Sequence, residues 1–564
     1  MPVTANSKPL QTSEQVVCTR RWPILPAAAV AVSAALVSAG AVWLSWQQGW
    51  ILYLGDAEAH LNIARRVIDS RTPGFEQLGT AWLPLPHLLM LPLVARDDLW
   101  RSGLAGAIPS AVCFVLGVTL LFAAARRIFA SALAGAVAAA LYALNPNALY
   151  LQSTPLTEPV FFAALAGLLY FTVRFRETQS LWSVAGAGVA ALAGTLTRYE
   201  GWFLIPFATL YFLVAGRRRR WSAAFVFGAI ASLGPLAWLA YNRWYYGNFL
   251  EFFSGPYSAK AIQGGAPYPG NDDWNIALTY YGWAVRACSG APLFFLGAAG
   301  ILAALWKRAF WPILLLALPG AFYVISIRYE GNPIFLPNLW PHSYYNTRYG
   351  LAILPLAALC AAAIVALVAG KSDAAPDGAT PQSAWQRATE PRGLAAGIVA
   401  VGLIAAASIP WLFAPRPESW ITWKESQVNS VARRAWTHEA AQFFKAHYHS
   451  GDGVFTSSGF LGVFREAGIP LRVTLTGDNG PLWETALLRP DMVLWEQWAM
   501  VQGGDPVQTA INRARRRGPN YDLARQIVVK GAPVIEIYER STAPANLYQL
   551  PHENPVPQSA RRKK

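Results

Sequence analysis

The chain has 564 residues, 54% of them hydrophobic and 14% charged, with 24 Trp, 22 Tyr and 27 Phe crowded into apolar runs and a mean hydropathy of +0.28. That much apolar surface excludes a soluble globular protein. The net charge of +15 sits in short basic clusters between apolar runs, which suits anionic lipid headgroups and argues against nucleic acid as a partner. Four cysteines, Cys18, Cys113, Cys288 and Cys360, lie far apart with no CxxC or Cys/His spacing, so neither a disulfide framework nor a structural zinc site is expected.

In chain order, residues 1–22 read as a cytoplasmic tail ending in Arg20 and Arg21. The apolar run that follows, to about Trp46, is longer than a signal-peptide core and lacks a cleavage site, so it reads as an uncleaved first span. Further runs at 103–125, 129–147, 157–173, 181–197, 199–216, 221–241, 291–306, 309–327, 348–369 and 393–413 bring the expected transmembrane helices to eleven, an α-helical polytopic architecture. The stretch 82–94 is apolar but short and holds Pro84, Pro86 and Pro92, so it is expected to be interfacial or re-entrant.

Without a crossing there, Arg20/Arg21, Arg126/Arg127, Arg174/Arg176, the arginines 217–220, Lys307/Arg308 and Lys371 all fall on one face, as the positive-inside rule demands. The N-terminus is then cytoplasmic and the C-terminal region external. The catalytic-looking membrane domain spans 23–413, and its long external loops are 47–102 and 242–290. Most of its acidic residues gather on the external side: Asp56, Glu58, Asp69, Glu76, Asp97, Asp98, Glu158, Glu200, Glu251, Asp272, Asp273 and Glu330. The polar segment 371–392 is expected to be a cytoplasmic linker. From 414 to 545 short alternating or apolar runs separated by helix-like segments predict an extracytoplasmic α/β domain with no GxGxxG or GxxxxGK[ST] nucleotide motif. The basic, proline-containing stretch 546–564 reads as a disordered tail.

Four short motifs concentrate the chemistry. The first, Gly55-Asp56-Ala57-Glu58-Ala59-His60, sets two carboxylates beside apolar surface. There they act either as a general base for an acceptor hydroxyl or as a capped, charged helix start. In Thr157-Glu158-Pro159 the proline fixes a helix start with Glu158 at its mouth, either as a site carboxylate or as a partner for free helix amides. The turn Thr197-Arg198-Tyr199-Glu200 presents an arginine fork suited to a phosphate oxyanion or, alternatively, to an internal pair with Glu200 or Glu158. Tyr199 belongs to a sugar platform or to the interfacial aromatic belt. In Tyr344-Tyr345-Asn346-Thr347-Arg348-Tyr349-Gly350, Arg348 stands where a lipid phosphate would lie, with snorkelling to headgroups as its alternative. Lys260, Arg286 and Arg328 are further basic candidates of that kind. His60, His87 and His342 are external histidines that could join carboxylates around a divalent cation, although no HxxxH spacing supports a metal site.

These motifs, with the proline-rich stretch 82–87 and the Leu354-Pro355 that follows Arg348, resemble the GT-C superfamily of membrane glycosyltransferases over about residues 20–370. Within it they are most similar to the branch of protein O-mannosyltransferases and lipid A aminoarabinose transferase. The resemblance implies transfer of a monosaccharide from a polyprenyl-phosphate donor to an extracytoplasmic glycan, lipid or protein acceptor, with inversion, in an inner or plasma membrane. It makes Asp56 the base, with Glu58 and Glu158 orienting acceptor or donor sugar. Arg198, Arg348 and Lys260 would hold the leaving phosphate, and Tyr199, Glu200, His60 and Tyr345 would contact sugar or acceptor. The acidic pair is interrupted by Ala57 where mannosyltransferases have adjacent carboxylates, which leaves Asp56 and Glu58 both open as the base. No WWDYG sequence is present, against the oligosaccharyltransferase branch. A transporter or flippase of lipid-linked glycans, or a non-catalytic scaffold, are the competing readings. Charges at span ends instead of mid-span favour surface chemistry over transport.

Overall fold

The structure is a computed structural model, described over residues 24–370, 390–414, 417–514 and 519–541. The expected tail 1–22 with Arg20 and Arg21, the linker up to residue 389 with Lys371, and the tail 546–564 lie outside the described residues.

A helix occupies each of the eleven apolar stretches. Among the described residues, seven are long and apolar enough to cross a membrane: Leu25–Gln47, Leu104–Phe129, Glu158–Thr178, Arg220–Tyr246, Phe310–Tyr329, Thr347–Ala369 and Pro391–Phe413. Two more candidates are broken helices, Ala132–Ala143 with Pro146–Gln152, bent by 68°, and Trp274–Ser289 with Ala291–Trp306, bent by 110°. Pro146 and Gly290 explain the breaks, one lacking an amide and the other at φ 78°. Leu181–Thr195 and Glu200–Ala215 have only 15 and 16 residues. A straight crossing takes about 20, so the expected count of eleven is not reached on length alone. Leu85–Val94, at 10 residues, is too short to cross.

The chain divides into two compact units, 1–64 with 78–430 and 65–77 with 431–564. In the first, helices approach through small residues, the usual solution where lipid removes the hydrophobic drive. Gly117 lies against the backbone of Ala163, and a side chain on Gly300 would strike the carbonyl of Cys360. Leu354–Ala369 is apolar all round and buried, whereas Pro391–Phe413 keeps Leu394, Ile398 and Val401 exposed.

The second unit holds a five-stranded mixed sheet: β1 (Val454–Thr456), β2 (Thr474–Leu475), β3 (Trp498–Gln502), β4 (Tyr521–Ile527) and β5 (Ile535–Arg540), in the order β2-β1-β3-β5-β4. β1 runs parallel to β2 and β3, and the β3–β5 and β5–β4 pairs are antiparallel. Phe455, Leu475, Val501 and Tyr521 pack against Val507, Ala510 and Ile511 of the helix Pro506–Ala514. The segment 65–77 is tied into this unit by Arg71 to Glu496 at 2.6 Å and by Asp69, which pairs with Arg65 at 2.8 Å and Arg472 at 3.2 Å. The α/β region expected from residue 414 thus has a sheet, while the two units part at 430/431, inside the helix Ile421–His447.

Candidate active site

The helix Gly55–Arg66 begins with Asp56 and Glu58 in its first turn, where unpaired amides favour negative charge. Ala57 and Leu61 are fully buried, which leaves Asp56 at the edge with 41% of its side chain exposed, whereas Glu58 is buried. Asp56 accepts a hydrogen bond from Nη2 of Arg348.

Arg348 is placed by an unusual backbone. Asn346 adopts φ 54°, and a 3₁₀ turn over Thr347–Ile353 precedes the helix Leu354–Ala369. Gly350 lies so close to the backbone of Ala284 that any side chain would clash, which accounts for the glycine in this motif. The amides of Asn346 and Thr347 both donate to Glu425 at 2.8 Å, and the Thr347 hydroxyl donates to the same carboxylate. Glu425 is buried, and that burial pushes its carboxyl up, opposed by Arg348 and by the donors of Thr347 and Asn346. Arg348 Nη1 stands 3.9 Å from it.

Glu158, at the first position of its helix before Pro159, is 2% exposed. Its Oε1 accepts from Arg348 Nε at 3.0 Å and pairs with Arg198 Nη1 at 3.2 Å. Its Oε2 is buried with no hydrogen-bond partner among the described residues. Such an acceptor is rare in a folded protein and points to a ligand donor.

Arg198 is held at every nitrogen position: Nε to Glu200 at 2.7 Å, Nη1 to Thr157 Oγ1 at 2.7 Å and Nη2 to the Tyr323 hydroxyl at 2.7 Å, which in turn donates to Glu200. Tyr349 stacks on Tyr323 at 4.4 Å between ring centroids, and its ring lies 5.4 Å from the Arg348 guanidinium and 5.7 Å from that of Arg198. Asp56, Glu158, Arg198, Glu200 and Arg348 therefore form one continuous network. The internal pairs of Arg198 with Glu200 and Glu158, one of the two readings of its motif, are both present.

His60, one helical turn from Asp56 on the same face, bonds through Nδ1 to Nε2 of His87 at 2.9 Å and lies 4.4 Å from the Trp82 ring. Burial, then the positive charges of Arg348 and Arg198, push its imidazole down to about 3. A histidine that stays neutral when folded and takes a proton when unfolded adds stability above its ordinary pKa of 6.5 and loses it as pH falls toward 3. Acidification from pH 6.5 to pH 5 should therefore cost about 2 kcal/mol through this group. Denaturant titrations of wild type and His60→Gln check this: the variant should lose less stability over that interval, and equal losses would contradict it.

Of the other expected residues, Glu200 belongs to the network, and Tyr199, Tyr345, Lys260, Arg286, Arg328 and His342 make no ion pair or hydrogen bond to it among the described residues. The Tyr199 hydroxyl accepts from Trp238 Nε1 at 3.1 Å and donates to the Ala81 carbonyl at 3.3 Å, and its ring stacks on Phe252. Glu200 is buried in its pairs with Arg198 and Tyr323. Tyr345 is exposed, in a backbone bridge with Phe335. Lys260, exposed in Ala259–Gln263, makes no ion pair with the network among the described residues. Arg286 stacks over Trp283, Arg328 donates to the Asp272 carbonyl and lies over Trp274, and His342 bonds the Pro337 carbonyl. Among the described residues no group of three or more His, Cys, Asp or Glu is placed to hold a metal ion.

Two participants escaped the sequence reading. Glu425 follows the last apolar run, in the region assigned to the external domain, and carries no motif. Its only signal is an acidic residue just after the last expected span. Tyr323 lies within an apolar run and has no sequence signal.

Residues 100–241 match the family described as dolichyl-phosphate-mannose-protein mannosyltransferase. No curated protein sequence matches the chain. Among solved structures, ArnT from Cupriavidus metallidurans bound to undecaprenyl phosphate superposes with TM-score 0.50 at 15% identity, over 88% of this chain and 97% of that one. The oligosaccharyltransferase of Archaeoglobus fulgidus in its apo form gives TM-score 0.45 at 14% identity, over 84% of this chain and 69% of that one.

Proposed function

We propose that this chain, whose fold is similar to that of ArnT, is a GT-C membrane glycosyltransferase that inverts configuration and uses a polyprenyl-phosphate monosaccharide. The observation that carries the reading is a pair of unlike carboxylates on one arginine. Asp56 is part exposed, Glu158 is buried with one oxygen unsatisfied, and both bind Arg348. Undecaprenyl phosphate in the similar ArnT structure supports a lipid-phosphate donor.

In the proposed reaction an acceptor hydroxyl gives its proton to Asp56 as its oxygen attacks the anomeric carbon. The bond from that carbon to the phosphate oxygen breaks, and its electron pair leaves with the polyprenyl phosphate. Asp56 has the access a base needs, and Arg348 fixes its direction. Glu158 Oε2 is suited to accept from a hydroxyl of the sugar. Among the described residues, the four carboxylates Asp56, Glu158, Glu200 and Glu425 find their ion-pair partners in Arg198 and Arg348. A leaving phosphate therefore calls for further positive charge, for which Lys260 in the external loop is the candidate. Glu58 is the second candidate base, and its burial makes it the weaker one. The protein is assigned to an inner or plasma membrane, with its N-terminus cytoplasmic and its C-terminal unit external, where an envelope glycan, lipid or protein is the acceptor.

The test uses the full chain in nanodiscs, supplied with polyprenyl-phosphate monosaccharides and envelope extract. Release of polyprenyl phosphate should track labelling of an acceptor, and nucleotide sugars should give neither. Transfer from nucleotide sugars alone would sink the reading.

A further inference from the structure

A cleft of about 450 Å3 opens in the region of loop 242–290, walled by Tyr268, Tyr280 and Trp340 with Pro269, Asn275 and Thr279. We propose that this cleft is a carbohydrate subsite that receives a sugar ring of the acceptor, an inference that rests on the transferase reading above.

The lining matches what a sugar presents. A pyranose has apolar C–H faces that pack on aromatic rings and a rim of hydroxyls that need planar amide and hydroxyl partners. Trp340 is 61% exposed, a costly position for an indole with no occupant to cover it. Asn275 and Thr279, both exposed, stand one helical turn apart on the Trp274–Ser289 helix. The Thr279 hydroxyl donates to the Asn275 carbonyl at 2.7 Å, which leaves its oxygen lone pairs for a ligand donor.

The walls are fixed before any ligand arrives. The Tyr280 hydroxyl donates to the Trp340 carbonyl at 2.6 Å, tying the loop to the helix, and the Tyr268 hydroxyl accepts from the Gly331 amide at 3.2 Å. Asp273 caps the helix by accepting from the amides of Asn275 and Ile276. Such preorganisation lowers the ordering cost of binding. Aromatic residues that anchor a protein in headgroups turn their rings toward lipid; here the rings and two polar side chains line one cleft.

The same elements also build the candidate active site. Tyr281, next to Tyr280, stacks on Tyr323 at 5.9 Å, and its hydroxyl donates to the Tyr349 carbonyl at 3.4 Å. The loop that carries Trp340 leads directly to Arg348 and is closed by the Phe335–Tyr345 bridge. One helix thus gives consecutive tyrosines to the cleft and to the arginine network.

Saturation-transfer NMR on the full chain in nanodiscs, with methyl glycosides of glucose, mannose, galactose and N-acetylglucosamine as probes, reads this binding independently of turnover. At least one glycoside should receive saturation at its ring protons, and Trp340→Ala should weaken it about fivefold or more without lowering the melting temperature. Thr279→Val, which keeps the shape and removes the hydroxyl, should weaken it in the same sense. No saturation of any probe, or equal saturation in both variants and wild type, would overturn the subsite. So would a lowered melting temperature of Trp340→Ala in nanodiscs with sugar binding intact, the sign of an interfacial anchor. Sugar binding that depends on Trp340 in a protein with no transfer from polyprenyl-phosphate donors would sustain the subsite and remove the transferase reading.

Discussion

Replacing Asp56 by Asn should lower the rate of sugar transfer about 10²–10⁴-fold, the range over which a general base contributes, while leaving the protein folded. Asparagine is nearly isosteric and its amide oxygen can still accept from Arg348 Nη2, the contact that Asp56 makes in the structure. What it cannot do is take a proton from an acceptor hydroxyl. Asp56→Glu should retain more activity than Asn, because it keeps a carboxylate but moves it by one methylene. Transfer rates under saturating donor, with melting curves as the folding control, check both variants. Glu58→Gln is the necessary comparison. A larger loss there than in Asp56→Asn would move the base to Glu58.

Arg348→Ala should be the most destabilising change in the site. The guanidinium binds Glu158 at 3.0 Å and Asp56, lies 3.9 Å from Glu425, and is 8% exposed. Removing it strands Glu158 beside Arg198 alone and exposes Asp56 to rotation. Breaking a buried pair from one side costs about 3–5 kcal/mol because the remaining charge is left uncompensated. Transfer should fall with it, since Asp56 loses Arg348, its ion-pair partner among the described residues. Arg348→Lys should restore part of the stability and little of the activity: an ammonium keeps the charge but cannot reproduce a planar fork directed at two carboxylates. Denaturant melts and transfer rates of both variants separate the two effects. An alanine variant as stable as wild type would show that these carboxylates do not depend on Arg348.

The parts of this arrangement that could be read in the sequence were polar residues with a physical cost. Asp56, Glu158, Arg198, Glu200 and Arg348 interrupt or flank apolar runs, where each needs a partner. The sidedness of the basic clusters placed them on one face, and the structure joins them in one network. Partner choice was not legible. Arg198 had two open readings, and the pairs with Glu200, Glu158, Thr157 and Tyr323 needed coordinates to appear. Glu425 was hidden because it follows the last apolar run, and its role depends on the Asn346 backbone, which no pattern of residue types reveals. Tyr199 is polar at a span end like the others. Yet its hydroxyl is taken up by Trp238 and the Ala81 carbonyl, a distinction of packing and not of composition. Helix positions followed from hydropathy, whereas the breaks at Pro146 and Gly290 and the short helices at 181–195 and 200–215 kept the number of crossings out of reach.

The proposed single displacement at Asp56 is tested most directly by the anomeric configuration of the product. Proton NMR of a reaction between purified full chain, a polyprenyl-phosphate monosaccharide of known anomer and its glycan acceptor follows donor loss and product formation together. The predicted result is a product of opposite anomeric configuration, formed one for one with free polyprenyl phosphate. Retained configuration, or no consumption of any polyprenyl-phosphate donor by folded protein, would contradict the account.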